Sequence, residues 1–331
     1  MGDTYRNWRI DLPPINEAMH MTSGPHVAIL LATYNGGENL HEQLASIAEQ
    51  QYQNWSLIVS DDGSSDATRS ILDSFASEGH DVIVLDGPQN GAAANFMSLL
   101  KRFAAYAPAG AWVSFCDQDD VWLPDKLARS VAALTNLDAA VPALYCSRTW
   151  ITNEQLQGRR LSVPRPRPLS FRNALVQNVA SGNTILLNAE GTRLVNEAAT
   201  QTSDVVIHDW WTYQIIAGVG GALVHDDEPT LLYRQHEGNE IGANDNAKAK
   251  LARIAMLLGG RFAEWNRLNA HALSASAHRF SPENQLLLQD FTRILNMRRR
   301  RSWRVLMKMK LYRQTRASTA ALWLALLLRR L

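Results

Sequence analysis

The sequence predicts an α/β fold, in which helices flank a mostly parallel sheet and a helical extension follows at the C-terminal end. Short runs rich in Val, Ile and Leu alternate with segments of helical periodicity as far as Cys116. Polar clusters follow three of these runs, and beyond Asn246 the periodicity is wholly helical. Repeated strand-helix-strand units form parallel sheets with both faces covered, so these patterns favour that class.

The elements are predicted in chain order from these patterns. Short apolar runs typical of buried parallel strands occur at 26–32, 55–60, 81–85 and 111–116. Apolar residues recur at helical spacing at 38–50, 67–79 and 92–105. Further helices and strands are expected within 174–188, 205–218 and 222–233. The stretch 159–169 contains three prolines, and we predict a loop there.

Composition is that of an ordinary globular protein. The 331 residues are 46% hydrophobic and carry a formal net charge of +1, which gives no general affinity for nucleic acid. We expect an N-terminal extension at 1–24, an α/β domain at 25–245 and a basic helical region at 246–331. The extension lacks the apolar stretch of a secretory signal. The two cysteines, Cys116 and Cys146, have no metal-ligand spacing and fit a reducing compartment, so we expect a cytoplasmic protein.

Acidic residues follow two of the predicted strands. Asp117 and Asp119 are two residues apart after the fourth strand, where both carboxylates can face a divalent cation such as Mg²⁺ or Mn²⁺. Taken alone, this pair is more often an acidic surface turn. Asp61 and Asp62 follow the second strand, and parallel strands place such ends at one edge of the sheet. Like charges held close together favour a cation, so the two clusters together point to a site.

Five segments, in this order, resemble glycosyltransferase family 2, the inverting enzymes of the nucleotide-sugar-binding fold called GT-A. The segments are VAILLATYNG, SDDGSSD, FCDQDDVWLPDKL, HDWW and LYRQHEGN, and they span residues 27–239. The last two are similar to the bacterial rhamnosyltransferase-like branch that builds O-antigen and other cell-surface polysaccharides. The resemblance implies a GT-A fold and transfer of a sugar from a nucleotide-diphospho-sugar.

The resemblance also implies a donor site at the strand ends. Tyr34 would lie against the nucleobase, and Asp62 would hydrogen-bond its imide edge. Asp117 would contact the ribose or the sugar, while Asp119 would ligate the cation. Asp61 is expected to support the turn.

A loop after the strand at 222–233 carries two further donor-site candidates, Arg234 and His236. The corresponding loop of the family orders over the donor, and a planar guanidinium suits pyrophosphate oxygens. Glu237 departs from the small or neutral residue that is common in relatives, which leaves the contacts of this loop open.

The acceptor side is assigned from the same resemblance. Asp209 matches the family's catalytic carboxylate, which would remove the proton from the acceptor hydroxyl. Its neighbours Trp210 and Trp211 are equally expected to stack on a sugar or to belong to the core, and His208 is expected to be structural. Asn183 is a weaker candidate for the acceptor site.

The C-terminal region is strongly basic. Residues 291–331 contain twelve Arg or Lys and no Asp or Glu, including four consecutive arginines at 298–301. Basic residues interleaved with Trp, Leu and Met are typical of a helix in a membrane interface. A charged face on a helix that packs on the α/β domain remains the alternative. The longest apolar run, at 317–328, is too short to span a bilayer.

These observations favour an inverting glycosyltransferase at the cytoplasmic face of a membrane, with a lipid-linked saccharide acceptor. By resemblance, dTDP-rhamnose is the preferred donor, and UDP sugars remain possible. A sugar nucleotidyltransferase is disfavoured because ATYNGGEN, after the first strand, lacks a basic phosphate loop. A glycan-binding scaffold that has lost turnover is the remaining alternative, and the four carboxylates Asp62, Asp117, Asp119 and Asp209 weigh against it.

Overall fold

A computed structural model describes residues 24–202, 204–236, 261–296 and 302–327 of the chain. Most of the predicted N-terminal extension, the predicted boundary near Asn246 and the arginines at 298–301 lie outside these residues. Within the described ranges, no helix combines the length and the apolar character that crossing a membrane requires.

The described residues form one mixed sheet of nine strands. In chain order these are β1 (Val27–Thr33), β2 (Trp55–Asp61), β3 (Val82–Asp86), β4 (Trp112–Cys116), β5 (Val121–Trp122), β6 (Ala143–Thr152), β7 (Arg160–Leu161), β8 (Leu186–Leu187) and β9 (Ala222–Arg234). The spatial order is β3-β2-β1-β4-β8-β6-β9-β5, and β7 pairs with β6. The predicted α/β class is confirmed.

Helices connect the strands and continue beyond them. They are α1 (Leu40–Ala48), α2 (Thr68–Ser77), α3 (Gly91–Arg102), α4 (Lys126–Thr135), α5 (Phe171–Ala174), α6 (Ala189–Gln201), α7 (His208–Gly218), α8 (Arg261–Ser276), α9 (Pro282–Asn296), α10 (Ser302–Met309) and α11 (Arg316–Leu327). Short 3₁₀ turns occur at Phe103–Ala105, Gly182–Thr184 and Ala277–Arg279.

Strand β1 is buried along its whole length because both faces of the sheet are covered. Its side chains alternate between two hydrophobic cores. Leu30 packs into the core that contains Phe96 of α3, whereas Ile29 and Leu31 pack into the core that contains Leu44 of α1. A continuous apolar run is therefore what this position requires.

The order of the first four strands creates a crevice. β1 pairs in parallel with β2 on one side and with β4 on the other. The chain therefore reverses its direction of winding between β1 and β4, and ligands of open α/β sheets bind at the carboxyl ends of strands at such a point. The ends of these two strands carry Tyr34 and Asp117.

The other half of the sheet is less regular than predicted. β8 runs antiparallel to both β4 and β6, whereas β6 runs parallel to β9. Strand β6 occupies a segment for which the sequence analysis predicts no element. Within the predicted loop at 159–169, only the two residues of β7 are extended into the sheet.

The C-terminal helices share a core with the sheet. Phe262 of α8, Phe291 of α9 and Leu322 of α11 belong to the same cluster of buried residues as Leu30 and Phe115. The region predicted to be an appendage is therefore packed against the α/β domain, at least in its described part.

A polar contact also fixes the C-terminal segment between α10 and α11. The Tyr312 hydroxyl donates to the Pro168 carbonyl over 2.7 Å, and Arg167 lies over the Tyr312 ring at 4.1 Å. The backbone N–H of Gln314 donates to Gln177 over 2.8 Å. These contacts agree with the packing alternative for this segment, while other residues of α10 and α11 stay exposed.

Candidate active site

Gln118 joins the ends of β1 and β4. Its carbonyl oxygen accepts hydrogen bonds from the Thr33 hydroxyl over 2.7 Å and from the Tyr34 backbone N–H over 2.8 Å. Its amide donates to the Tyr34 carbonyl over 3.1 Å. The Tyr34 side chain remains 58% exposed at the crevice, so its ring is free to meet a ligand. The sequence analysis did not single out Gln118, although its place between two aspartates was a signal.

Asp61 and Asp62, at the end of β2, have different partners. Asp61 is buried and accepts hydrogen bonds from the Ser64 hydroxyl at 2.5 Å and from Arg69 Nε at 2.6 Å, so it supports the turn. Asp62 accepts backbone N–H groups from Gln89 over 2.6 Å and from Gly91 over 2.9 Å. Asp62 therefore anchors the start of α3 beside the crevice.

The acidic loop, defined here as residues 117–120, follows β4. Its residues Asp117, Gln118 and Asp119 are half-buried, whereas Asp120 is completely buried. His236 lies 2.6 Å from Asp119, measured between Nε2 and Oδ2. The structure thus brings the predicted metal ligand and a residue of the predicted donor loop into contact.

Asp120 holds the acidic loop to two other parts of the chain. Its carboxylate accepts a hydrogen bond from the Asn183 amide over 2.5 Å and from the Arg234 backbone N–H over 3.1 Å. Burial raises the pKa of Asp120 well above its usual range, and the charges of Asp119 and Asp117 raise it further. The sequence analysis did not single out Asp120, because nothing in the sequence distinguishes it from Asp117 and Asp119.

Arg234, a predicted donor-site residue, binds other parts of the chain in this structure. Its side chain is buried, and its guanidinium donates to the Asp119 carbonyl over 2.8 Å, to the Glu154 carbonyl and to the Glu42 carboxylate. The residue is only 4% exposed, so its guanidinium does not face the crevice as a pyrophosphate ligand would. Arg234 instead supports the acidic loop.

Asp209 occupies the first turn of α7, and its carboxylate is almost fully enclosed. Oδ2 accepts the Gly182 N–H over 3.0 Å, while Oδ1 accepts the Asn178 amide over 3.0 Å and the Trp210 N–H over 2.5 Å. Burial raises the pKa of Asp209 to about 6, although these hydrogen bonds act in the opposite direction. A carboxylate with such a pKa is suited to accept a proton near neutral pH.

The side chains of the three predicted acceptor residues, Trp210, Trp211 and Asn183, are all buried, and their acceptor contacts stay a prediction. The Trp210 indole donates to the Ala174 carbonyl over 2.6 Å and stacks beside Phe262. Trp211 is completely buried in the core. Helix α7 is buried along its whole length, so neither indole offers a face to a sugar.

Two buried basic groups lie close to the site. His208 stacks on Phe96 with ring centroids 3.7 Å apart, and burial lowers its pKa to about 3. It is therefore neutral and structural at ordinary pH. Lys126 lies 3.6 Å from the Trp122 ring centroid, and burial lowers its pKa to about 7. Lys126 follows the acidic loop in sequence, and the sequence analysis did not predict its burial.

Hydrogen bonds connect the two halves of the site. The turn at 182–184 supplies the Gly182 N–H to Asp209 and the Asn183 amide to Asp120. Asp120 in turn binds Arg234, which holds the backbone of Asp119. The candidate base and the candidate metal ligand are thus held in one framework.

The chain is similar in sequence to known glycosyltransferases. Residues 28–188 match the model of the family described as Glycosyl transferase family 2, a range that includes the acidic loop but not Asp209. RfbG, a dTDP-rhamnosyl transferase of Shigella flexneri, is 29% identical over 234 residues, which cover 69% of this chain and 78% of RfbG.

Two further proteins are similar. The Escherichia coli protein WfgD, a UDP-Glc:alpha-D-GlcNAc-diphosphoundecaprenol beta-1,3-glucosyltransferase, is 29% identical over 156 residues, or 47% of this chain and 57% of WfgD. The crystal structure of S. aureus TarS residues 1–349 with UDP-GlcNAc superposes with a TM-score of 0.51 at 17% identity, covering 81% of this chain and 78% of that one. The latter likeness shows the fold alone, and it confirms the predicted GT-A architecture.

Proposed function

We propose that this protein is an inverting glycosyltransferase of family 2 that uses Asp209 as its base. The match of residues 28–188 to the model of that family supports the proposal. The observation that carries this proposal is the enclosure of Asp209, whose pKa is raised to about 6 and which is linked by hydrogen bonds to the acidic loop. In this role, the carboxylate takes the proton from the acceptor hydroxyl as the hydroxyl oxygen attacks the anomeric carbon. The bond to the diphosphate breaks on the opposite face.

The proposed donor is a nucleotide-diphospho-sugar, with dTDP-L-rhamnose preferred. The similarity to RfbG, which extends over 78% of that protein, supports rhamnose. Tyr34 would lie against the nucleobase of the donor, and Asp62, beside the start of α3, would hydrogen-bond the imide edge of that nucleobase. Asp117 would contact the ribose or the sugar, and His236 would border the diphosphate beside Asp119.

A divalent cation, Mg²⁺ or Mn²⁺, fits the acidic loop. The charges of Asp119 and Asp117 help to raise the pKa of Asp120, so the carboxylates of this loop interact with one another. No ready-made cluster of three metal-binding side chains occurs within the described ranges. Many proteins bind Mg²⁺ through one or two carboxylates together with substrate phosphates. Asp119 would hold the ion, which would offset charge on the departing diphosphate.

The proposed acceptor is a lipid-linked saccharide in cell-surface polysaccharide synthesis, at the cytoplasmic face of the membrane. The name of WfgD describes a diphosphoundecaprenol-linked acceptor for that relative. Lys308, Lys310 and Arg316 are exposed on or beside α10 and α11, as are Met307 and Leu324. Cationic and apolar side chains on one region suit an anionic membrane surface.

Calorimetry tests the donor site. UDP, dTDP and GDP would be titrated into the protein with and without Mn²⁺. We expect dTDP to bind in a metal-dependent way, and Asp119→Ala to lose most of that dependence. Absence of binding by all three nucleotides would refute the donor site.

Transfer to a GlcNAc-diphospho-lipid from dTDP-L-rhamnose or UDP-glucose then tests the reaction. The configuration of the new bond would be read by NMR. Retention of the donor's anomeric configuration would contradict the inverting mechanism.

A further inference from the structure

Asp209 receives two of its three hydrogen bonds from a short segment that precedes β8, and the third from the Trp210 N–H of its own helix. Asn178 donates its side-chain amide to Asp209 Oδ1 over 3.0 Å, while its own amide oxygen accepts the Ala180 N–H over 3.2 Å. The second bond fixes the orientation of the amide, so that the NH₂ group points toward the carboxylate. Asn178 is half-buried, which keeps this pair partly shielded from water.

We propose that Asn178 is a positioning residue that orients the Asp209 carboxylate and favours its ionised form. The inference rests on the proposed role of Asp209 as the base. A hydrogen bond to the charged form of an acid stabilises that form, and hydrogen bonds to charged groups are stronger than neutral ones.

Other groups around Asp209 do not replace this contribution. The Gly182 and Trp210 N–H groups are fixed backbone donors, and all three hydrogen-bond donors are uncharged. The titratable side chain next to it, His208, is neutral at the pH of the reaction because burial lowers its pKa to about 3. Burial has the largest influence on the Asp209 pKa, and the hydrogen bond from the Asn178 side chain has the next largest, ahead of the backbone N–H donors.

Asn178 also places the base relative to the donor site. The residues after it form the turn whose Asn183 binds Asp120 of the acidic loop. Ser181, between them, donates its hydroxyl to the Asn183 side chain over 2.8 Å. The segment at 178–184 therefore holds both Asp209 and the acidic loop, which fixes the distance from base to donor.

The test is the pH profile of kcat/KM for Asn178→Ala, with dTDP-L-rhamnose and a GlcNAc-diphospho-lipid. Loss of the amide should shift the acid limb of the kcat/KM profile to higher pH by about one unit. The rate at pH 5 should then fall about tenfold below the native rate, while the rates at pH 8.5 should be nearly equal. Asn178→Asp should move the limb further, because a second carboxylate disfavours ionisation of Asp209.

Asn196→Ala is the matched control. Asn196 is also half-buried, and it donates its amide to the Leu100 carbonyl over 2.6 Å, in a contact that does not involve Asp209. This variant should keep the native acid limb. Circular dichroism and nucleotide binding of each variant establish that the fold and the donor site are intact.

An Asn178→Ala profile that is lowered equally at every pH, or that superimposes on the native one, would overturn the inference. In that case an inactive Asp209→Asn variant would leave the proposed function standing. Full transfer by Asp209→Asn would instead remove the base assignment itself, so the two failures are distinguishable.

Discussion

At the scale of single residues, the site depends on how each carboxylate is surrounded. Asp61 is bonded by Arg69, Asp62 by two backbone N–H groups and Asp209 by three N–H donors. The side chains have identical chemistry. Asp62, Asp120 and Asp209 are all buried and accept hydrogen bonds from uncharged N–H groups. For Asp209, burial raises the pKa to about 6. Its proton affinity near neutral pH therefore comes from its environment and not from its sequence neighbours.

Replacement of the base is the most direct prediction at this scale. Asp209→Asn keeps the shape of the side chain and removes its capacity to accept a proton. We expect kcat to fall by at least about 100-fold, with nucleotide affinity unchanged, because general bases contribute 100-fold or more. Calorimetry with dTDP and Mn²⁺ measures the affinity, and release of dTDP measures turnover. An active variant would exclude Asp209 as the base.

The raised pKa of Asp209 should also make the free energy of unfolding depend on pH. Its pKa rises from 3.8 to about 6 on folding, so the unfolded chain loses the proton first as the pH increases. Between pH 4 and pH 7, the free energy of unfolding of the native protein should therefore fall by up to about 3 kcal/mol relative to that of Asp209→Asn. Urea unfolding of both proteins at these two pH values gives the difference. A constant difference would show that the carboxyl titrates alike in both states.

At the scale of secondary structure, a buried ion pair joins α4 to β9. Arg129 Nη2 lies 2.8 Å from Asp226 Oδ2, and the Tyr145 hydroxyl of β6 donates to the same oxygen over 2.9 Å. Both charged side chains are almost completely buried. Removal of one partner would leave the other charge buried without compensation.

We expect Asp226→Asn to lower the free energy of unfolding by about 3–5 kcal/mol, because the Arg129 charge would lose its counterion. Arg193→Ala on α6 is the control. Arg193 is exposed and pairs with Glu190 and Glu197, so its loss should cost less than about 1 kcal/mol. Thermal or urea unfolding measures both losses. If Asp226→Asn and Arg193→Ala lost the same free energy of unfolding, the buried ion pair would be no more important for stability than the exposed one.

The same scale shows what sequence patterns could and could not predict. The first four strands were predicted within one or two residues because each is a continuous apolar run that ends at a turn or a polar cluster. Strand β6 was missed: its alternation is irregular, and its partners β8 and β9 come from later in the chain. The order of those strands depends on tertiary contacts.

The direction of several side chains in the site could not be predicted from the sequence. The sequence HDWW fits either tryptophans that stack on a sugar or a helix of the core. Because α7 is buried on all sides, these tryptophans belong to the core. Arg234 and Asn183 are similar cases, since each has a polar side chain that binds another part of the chain. The position of Tyr34 at an open crevice follows from the strand order and was predicted.

At the scale of the whole molecule, the C-terminal helices both complete the core and provide an exposed surface. Met309 and Leu322 are buried with residues of the sheet, whereas Met307 and Leu324 are 52% and 54% exposed. The packing alternative therefore holds for the buried side of these helices, and membrane contact by their exposed side stays a prediction. Packing fixes their place, and the outward side chains remain available to a partner.

The proposed membrane contact depends on those outward side chains. Insertion of apolar groups and attraction of basic residues by anionic lipid add together, at about 1 kcal/mol for each basic residue near the surface. We expect Met307→Glu with Leu324→Glu to weaken binding to vesicles of phosphatidylglycerol and phosphatidylcholine by at least about tenfold, because each change removes apolar contact and adds a negative charge.

Leu286→Glu is the control for this experiment, since Leu286 is 63% exposed on α9, before the strongly basic stretch at 291–331. It should bind vesicles as the native protein does. Flotation through a density gradient measures binding, and thermal unfolding checks that the buried side of α11 is intact. The proposal is contradicted if the double variant binds vesicles as well as the native protein, or if the native protein does not bind anionic vesicles. In either case the acceptor must reach the active site without this surface, and the exposed face of α10 and α11 has another role.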